Sequence, residues 1–186
     1  MKGKWISWMA VAGTVSVLLG CGSSSSTPGT GANTTSSVQT AANSAALAGY
    51  IERGDRLCTT ANEAIVPVNE RGAEIQRRHG GSPNAAGLLV PVVREGLRLY
   101  RHFLRHFERI PPPSGETAQV SAILAGLRKV GVDIERLGAA LAARELAQVR
   151  AITSERETDH ARVSAQELEL GFKVCGQPAS QPSLSG

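Results

Sequence analysis

Two histidines stand four residues apart near the middle of the chain, a spacing that places both rings on one side of a helix. His102 and His106 have the residue type and the spacing of a metal-binding pair. A third ligand is missing, because Glu95 lies two helical turns from His102, about 10.5 Å along the axis. The pair is also surrounded by arginines, which oppose a cation: Arg98, Arg101 and Arg105. A solvated histidine pair is therefore favoured over a metal site.

Catalytic motifs are missing from the sequence. Di-iron proteins built on helical bundles use two Glu-x-x-His motifs, and this chain has one, Glu157-Thr-Asp-His160. It contains no His-Glu-x-x-His, no Cys-x-x-Cys, no phosphate-binding glycine loop and no Gly-x-Ser-x-Gly. The sequence thus predicts a protein that is not an enzyme and that carries no cofactor.

Arginines form the strongest charged pattern of the chain. Five of them recur at helical spacing, and we refer to them as the arginine surface: Arg94, Arg98, Arg101, Arg105 and Arg109. On a helix they fall opposite or beside the apolar positions, so they can meet anionic lipid headgroups or wall polymers. The alternative is an ordinary solvated face, paired with Glu95, Glu108 and acids of the first and fourth helices. The solvated face is the simpler interpretation.

A second polar pattern follows the first helix. Asp55, Asn62, Asn69 and Gln76 recur every seven residues beside the apolar positions. If they are partly buried, they fix the register of the helices through hydrogen bonds, and Asp55, Asn62 and Asn69 can line a small polar pocket. The sequence favours the register role over the pocket.

Helices must hold these side chains, because apolar positions repeat in alternating steps of four and three residues, the rhythm of bundle helices. The first helix is predicted over 44–78, with Gly80-Gly81 ending it and Ser82-Pro83 starting the second. The Pro111–Pro113 run ends the second helix, and Ser114 is expected to cap the third. The fourth helix is assigned from small residues at the same spacing, including Ala147, Ala151, Ser154, Thr158, Ala161, Ala165 and Leu168.

Short connections favour antiparallel neighbours, so the predicted fold is all-α: an up-down-up-down antiparallel four-helix bundle over 44–175. Pro67 and Pro91 lie in a repeated Val-Pro-Val-x-x-x-Gly pattern, and each is expected to bend its helix. The bends either widen a gap for a ligand or simply curve two helices around the core. Curved helices are the favoured interpretation.

The N-terminus has the three zones of an export signal. Lys2 and Lys4 precede fifteen uncharged residues, Trp5–Leu19, and small residues close the segment. The ending Leu18-Leu19-Gly20-Cys21 resembles the lipobox of bacterial lipoproteins. The resemblance implies cleavage after residue 20, lipidation of Cys21, and anchoring on the extracytoplasmic side of a cell membrane. Residues 21–43 are then predicted to form a disordered Ser/Thr/Gly-rich tether, and 176–186 a disordered tail.

The chain has three cysteines, an odd number. If Cys21 carries lipid, Cys58 and Cys175 remain as a pair in an oxidising compartment, and a disulfide is expected. Two separate thiols are the alternative. In an antiparallel bundle Cys58 falls near the middle of the first helix and Cys175 at the end of the fourth, so the two helices cannot be in simple register.

Charge excludes one class of partner. Without residues 1–20 the chain has 18 Lys and Arg against 16 Asp and Glu, a net charge of +2. So small an excess gives no general reason to expect nucleic-acid binding.

The two cysteine-bearing segments carry a second resemblance. Cys58-x-x-Ala61-Asn62-x-x-Ile65-x-x-x-Asn69-x-Arg71 and Leu170-Gly171-Phe172-x-Val174-Cys175-Gly176 are similar to small helical envelope lipoproteins of high-GC bacteria, which implies fold and disulfide but no activity. We expect a binding module of the cell envelope, whose partner is an envelope protein, an anionic lipid or a wall polymer. The alternative is a carrier of a small ligand or metal held inside the bundle.

Overall fold

The computed structural model describes residues 34–80, 82 and 84–177, with side chains from residue 42 onward. This part of the chain is helical. It consists of α1 (Thr34–His79), α2 (Ala85–Phe107), a short 3₁₀ turn (Ser114–Glu116), α3 (Thr117–Ala143) and α4 (Leu146–Leu170). The predicted signal segment, Cys21, the start of the tether and the tail beyond residue 177 lie outside the described residues.

The first helix begins earlier than the sequence predicted. α1 is 46 residues long and starts at Thr34, inside the segment that the sequence assigned to the tether. Residues 41–48 contain five alanines, and alanine has the highest helix propensity of all residues. The helix ends as expected at its glycine, where the Gly80 N–H donates to the carbonyl of Gln76 at 2.8 Å.

The remaining helix ends differ from the prediction by a few residues. The N-cap of α2 is Asn84 rather than Ser82, although the Ser82 hydroxyl accepts a hydrogen bond from the Asn84 N–H at 3.2 Å. The proline run follows the end of α2, and Ser114 opens the 3₁₀ turn that leads into α3. α1 and α2 continue as helix through Pro67 and Pro91.

Consecutive helices pack against each other: α1 on α2, α2 on α3, and α3 on α4. Glycines lie at several of these contacts. A Cβ at Gly72 of α1 would touch Val92 of α2 at 3.5 Å, and a Cβ at Gly126 of α3 would overlap a methyl group of Val163 of α4. A hydroxyl also joins two helices, since Tyr100 donates to the carbonyl of Leu127 at 2.8 Å.

The core is organised around aromatic rings. All three phenylalanines and both tyrosines of the chain form one continuous cluster, with ring centroids 5.5–6.2 Å apart. The cluster consists of Tyr50, Tyr100, Phe103, Phe107 and Phe172. Aromatic rings bury the largest area per side chain, so this cluster holds α1, α2 and the segment after α4 together.

The buried side of α4 is not the one that the sequence indicated. The small residues assigned to it, from Ala147 to Leu168, are exposed. The helix instead buries Ile152, Val163 and Leu170 together with two acids, Asp159 and Glu167. The prediction was wrong because the buried face was sought as a repeat of apolar or small residues. Such a search misses a face on which some of the buried residues are charged.

The disulfide is confirmed. The sulfur atoms of Cys58 and Cys175 are 2.04 Å apart, and their Cα atoms 5.4 Å. α4 ends at Gly171, whose φ of 105° lies in the left-handed region that glycine tolerates best. The chain then turns, Phe172 enters the core at 3% exposure, and Cys175 reaches the middle of α1. The turn explains how the last helix and the middle of the first share a covalent link.

Candidate functional site

The arginine surface lies on the outer side of α2 and the turn after it. All five arginines are exposed, while the residues between them that face inward, Phe103 and Phe107, are buried. The steps of four and three residues from Arg94 to Arg105 make a row of about 16 Å along one side of the helix. The sequence prediction of an exposed row of arginines therefore agrees with the burial of each residue.

Most of these arginines have no acidic partner within the part of the chain that the structure describes. Arg101 pairs with Glu135 of α3 at 2.7 Å. The two acids of the same region are used elsewhere, Glu95 by Arg71 and Glu108 by Arg128. Within the described residues, no carboxylate oxygen lies within 4.0 Å of the other four arginines, Arg94, Arg98, Arg105 and Arg109. The pairing that a solvated face would have made with Glu95 and Glu108 does not occur.

The two histidines sit on the same helix as the arginine surface. The rings of His102 and His106 are 4.4 Å apart between centroids, at an angle of 50°. His160, from the single Glu-x-x-His motif, has its Nδ1 3.4 Å from the hydroxyl oxygen of Ser164. No group of three or more His, Cys, Asp or Glu side chains in the described part of the chain could hold a metal ion.

The polar residues of α1 do not act together. The Asp55 carboxylate accepts three successive backbone N–H groups, from Lys173 at 3.0 Å, Val174 at 2.9 Å and Cys175 at 3.0 Å. Asn62 is half-buried, and both Asn69 and Gln76 are exposed. Asp55 thus holds the segment that carries Cys175 in place, which is a role in register. The other members of the pattern are half-buried or exposed and do not share this contact.

Two surface grooves lie between helices. One, of about 190 Å³, runs between α2 and α3 and includes Val93, Arg94, Leu97 and Ile134. The other, of about 380 Å³, lies between α1 and α2 beside Ile75, Leu88 and Pro91. Neither groove is lined by Asp55, Asn62 or Asn69.

A buried acid lies near the aromatic cluster, and sequence reasoning missed it. Glu167 is 5% exposed, and desolvation by burial, with a smaller contribution from the negative charge of Asp55, raises its pKa to about 7. Burial, and then the charge of Glu167, raises the pKa of Tyr50 to about 12. The Tyr50 hydroxyl has no hydrogen-bond partner among the described residues. The sequence did contain a sign of this burial. Glu167 lies four residues after Val163 and three before Leu170, so it falls on the same side of the helix as these two apolar residues.

Two further buried acids join α3 to α4. Asp133 is 1% exposed and Asp159 6% exposed. Lys129 bridges them, at 3.1 Å from Asp133 and 2.5 Å from Asp159, and its hydrogen bond to Asp159 holds the pKa of that carboxyl below its usual value. Arg136 and Arg162 complete the pairing, at 3.0 Å from Asp133 and 2.5 Å from Asp159. Because both acids are fully paired, the cluster holds the two helices and offers no free charge to a ligand.

Comparisons with known proteins identify no relative. The chain matches no protein-family model, no curated protein and no solved structure. Among the helices of residues 34–79 and 85–170, none is long and apolar enough to span a bilayer.

Proposed function

We propose that this chain is an exported lipoprotein, anchored through Cys21 to the extracytoplasmic face of a cell membrane, and that its helical domain is a binding module for an anionic component of the envelope. The arginine surface is the proposed contact. The anchor rests on the Leu18-Leu19-Gly20-Cys21 motif. The Cys58–Cys175 disulfide is consistent with it, because disulfides persist in oxidising compartments outside the cytoplasm.

We also propose that the four helices form an antiparallel up-down-up-down bundle. Contacts between neighbouring helices support this topology, because the contact moves toward the start of one helix as it moves toward the end of the next. Glu108, directly after α2, meets Arg128 of α3, and Arg101 of α2 meets Glu135 of α3. In α3 and α4, Lys129 meets Asp159 and Arg136 meets Glu155.

The binding role rests mainly on one observation, the four exposed arginines without an acidic partner among the described residues. An arginine that is paired with an acid attracts an approaching anion only weakly, because the ion pair has almost no net charge. Unpaired guanidinium groups keep their full charge and their hydrogen-bond donors, which match phosphate and carboxylate geometry. The matching partner is therefore an anionic lipid surface or an anionic polymer at that surface.

Binding to vesicles tests the role. The chain from residue 21 onward with Cys21→Ser, which lacks both the export segment and the lipid site, is mixed with vesicles of phosphatidylglycerol and phosphatidylcholine over a salt series. The variant Arg94→Gln/Arg98→Gln/Arg105→Gln/Arg109→Gln is compared with it. Each arginine near an anionic surface contributes about 1 kcal/mol. We therefore expect the salt-dependent part of the binding to fall roughly a thousandfold at low salt.

A control variant with the same change in net charge makes the test specific. Four exposed arginines of α1 serve this purpose: Arg53, Arg56, Arg77 and Arg78, each changed to Gln. This variant should bind nearly as well as the starting chain. Equal losses in both variants would show that only net charge matters, and binding indifferent to salt would rule out the arginine surface.

A further inference from the structure

The groove between α2 and α3 is lined mainly by apolar side chains, together with two charged ones. Val93 and Leu97 of α2 face Ile134 and Ala139 of α3 across it. The two charged lining residues are Arg94 and Glu135, and both are exposed. The groove therefore adjoins one end of the arginine surface, and an occupant that fills it also meets the Arg94 guanidinium.

The dimensions of the groove suit a narrow apolar occupant. Its volume of about 190 Å³ is below the 300–1,000 Å³ typical of pockets for drug-sized ligands. Small residues on α3, Gly138, Ala139 and Ala142, leave the space open. A Cβ at Gly138 would already touch Val93 at 3.5 Å. A single hydrocarbon chain fits these limits better than a bulky or polar ring.

The two charged lining residues favour an occupant whose polar end is anionic. Glu135 is neutralised by Arg101 at 2.7 Å, whereas Arg94 has no carboxylate within 4.0 Å among the described residues. The groove between α1 and α2 differs, because its Arg71 is already paired with Glu95. Of the two grooves, only the one between α2 and α3 thus combines an apolar lining with an arginine that has no acidic partner among the described residues.

We propose that this groove binds one acyl chain of a phosphate-bearing membrane lipid, with the phosphate on Arg94 and the neighbouring Arg98. This inference rests on the proposed function of the arginine surface and specifies its ligand. Hydrocarbon burial and the arginine–phosphate contact then act together, so that affinity depends both on the length of the chain and on the charge of the head.

Titration with soluble amphiphiles tests both parts. Inorganic phosphate, butyl phosphate and dodecyl phosphate, the two amphiphiles below their micelle concentrations, are added to the isotope-labelled chain from residue 21 onward with Cys21→Ser. Backbone amide shifts of Val93, Leu97, Ile134 and Ala139 report the groove. Each methylene that enters an apolar site strengthens binding by up to about fourfold. Dodecyl phosphate should bind at least a hundredfold more tightly than butyl phosphate and shift these amides. Equal binding of all three would overturn the proposal.

Two matched double variants separate the groove from the arginine surface. Ala139→Leu/Ala142→Leu fills the groove, while Ala122→Leu/Ala125→Leu makes the same change at exposed positions of α3 outside it. The first should lose the preference for dodecyl phosphate but keep salt-dependent vesicle binding, and the second should keep both. If filling the groove leaves the preference intact, the groove proposal is wrong and the arginine surface stands. If no variant, including the fourfold arginine variant, alters binding, both are wrong.

Discussion

Glu167 shows how a single buried side chain can set the pH response of a protein. Its carboxyl is 5% exposed, and no cation of the described residues lies within 4.0 Å of it. Burying an unpaired carboxylate is costly, so the group keeps its proton to a higher pH when the chain is folded. Its pKa rises from 4.5 to about 7, mainly because of this burial.

The raised pKa predicts that stability declines toward neutral pH. Between pH 4.5 and about 7 the folded chain holds a proton on Glu167 that the unfolded chain has already lost. The free energy of unfolding therefore falls as pH rises through this window, by about 3 kcal/mol in total. Glu167→Gln removes the effect: it should stabilise the protein at pH 8 and change little at pH 4.

Urea unfolding of the wild-type chain and the variant at pH 4, 6 and 8 measures this difference. Glu169→Gln is the control, because Glu169 is an exposed acid of the same helix. A Glu167→Gln variant whose advantage is the same at every pH would contradict the expected titration.

The pairing of α3 with α4 depends on how closely the two helices approach. Gly126 of α3 lies against Val163 of α4, whose methyl groups occupy the space that a Cβ at Gly126 would need. Valine is stiff about its first side-chain torsion, so it cannot easily turn away. The buried Asp133 and Asp159, bridged by Lys129, lie at the same contact between helices.

Gly126→Ala should therefore lower the free energy of unfolding by about 1–3 kcal/mol, even though alanine favours helix by about 1 kcal/mol over glycine. In a Val163→Ala background the overlap is gone, and the same change should become neutral or stabilising. Gly87→Ala is the control, since no atom lies within 4 Å of its Cβ position. If Gly126→Ala stabilises as much as Gly87→Ala does, the close contact is absent.

At the scale of elements, local patterns predicted most of what is observed. Steps of four and three residues located many buried residues of α1, α2 and α3, such as Cys58, Phe107 and Ile123, because each helix buries an apolar face, but they missed the buried Tyr50 and Asp133. α4 was misread, because its buried face contains Asp159 and Glu167, whose partners come from elsewhere in the chain. The sequence predicted that Asp55 fixes helix register or lines a pocket, but it did not identify its partners. These are backbone N–H groups 118 to 120 residues away. A sequence pattern cannot show contacts that depend on the turn at Gly171.

The whole molecule is closed by the bond between Cys58 and Cys175, which are separated by 117 residues. The enclosed segment contains α2, α3 and α4. A cross-link restricts the unfolded chain more when the loop is longer, and loops of about 100 residues correspond to roughly 4.7 kcal/mol in the entropic account.

Replacing both cysteines should therefore destabilise the protein without changing its helices. We expect Cys58→Ser/Cys175→Ser to lower the free energy of unfolding by about 2–5 kcal/mol. Urea unfolding followed by circular dichroism measures it, with the wild-type chain under reducing conditions as the comparison. Intact mass before and after reduction checks that the wild-type bond is formed. Equal stability of the variant and the oxidised chain would mean that the bond adds nothing.

The position of this disulfide also determines which part of the chain transmits a pulling force applied to its two ends. A pull between the start of α1 and the C-terminal end of the chain travels along α1 to Cys58, and the shortest covalent path then crosses to Cys175. Tension on this path thus bypasses α2, α3 and α4. A chain held at Cys21 and drawn from its other end would keep the helix that bears the arginine surface out of the path of the force.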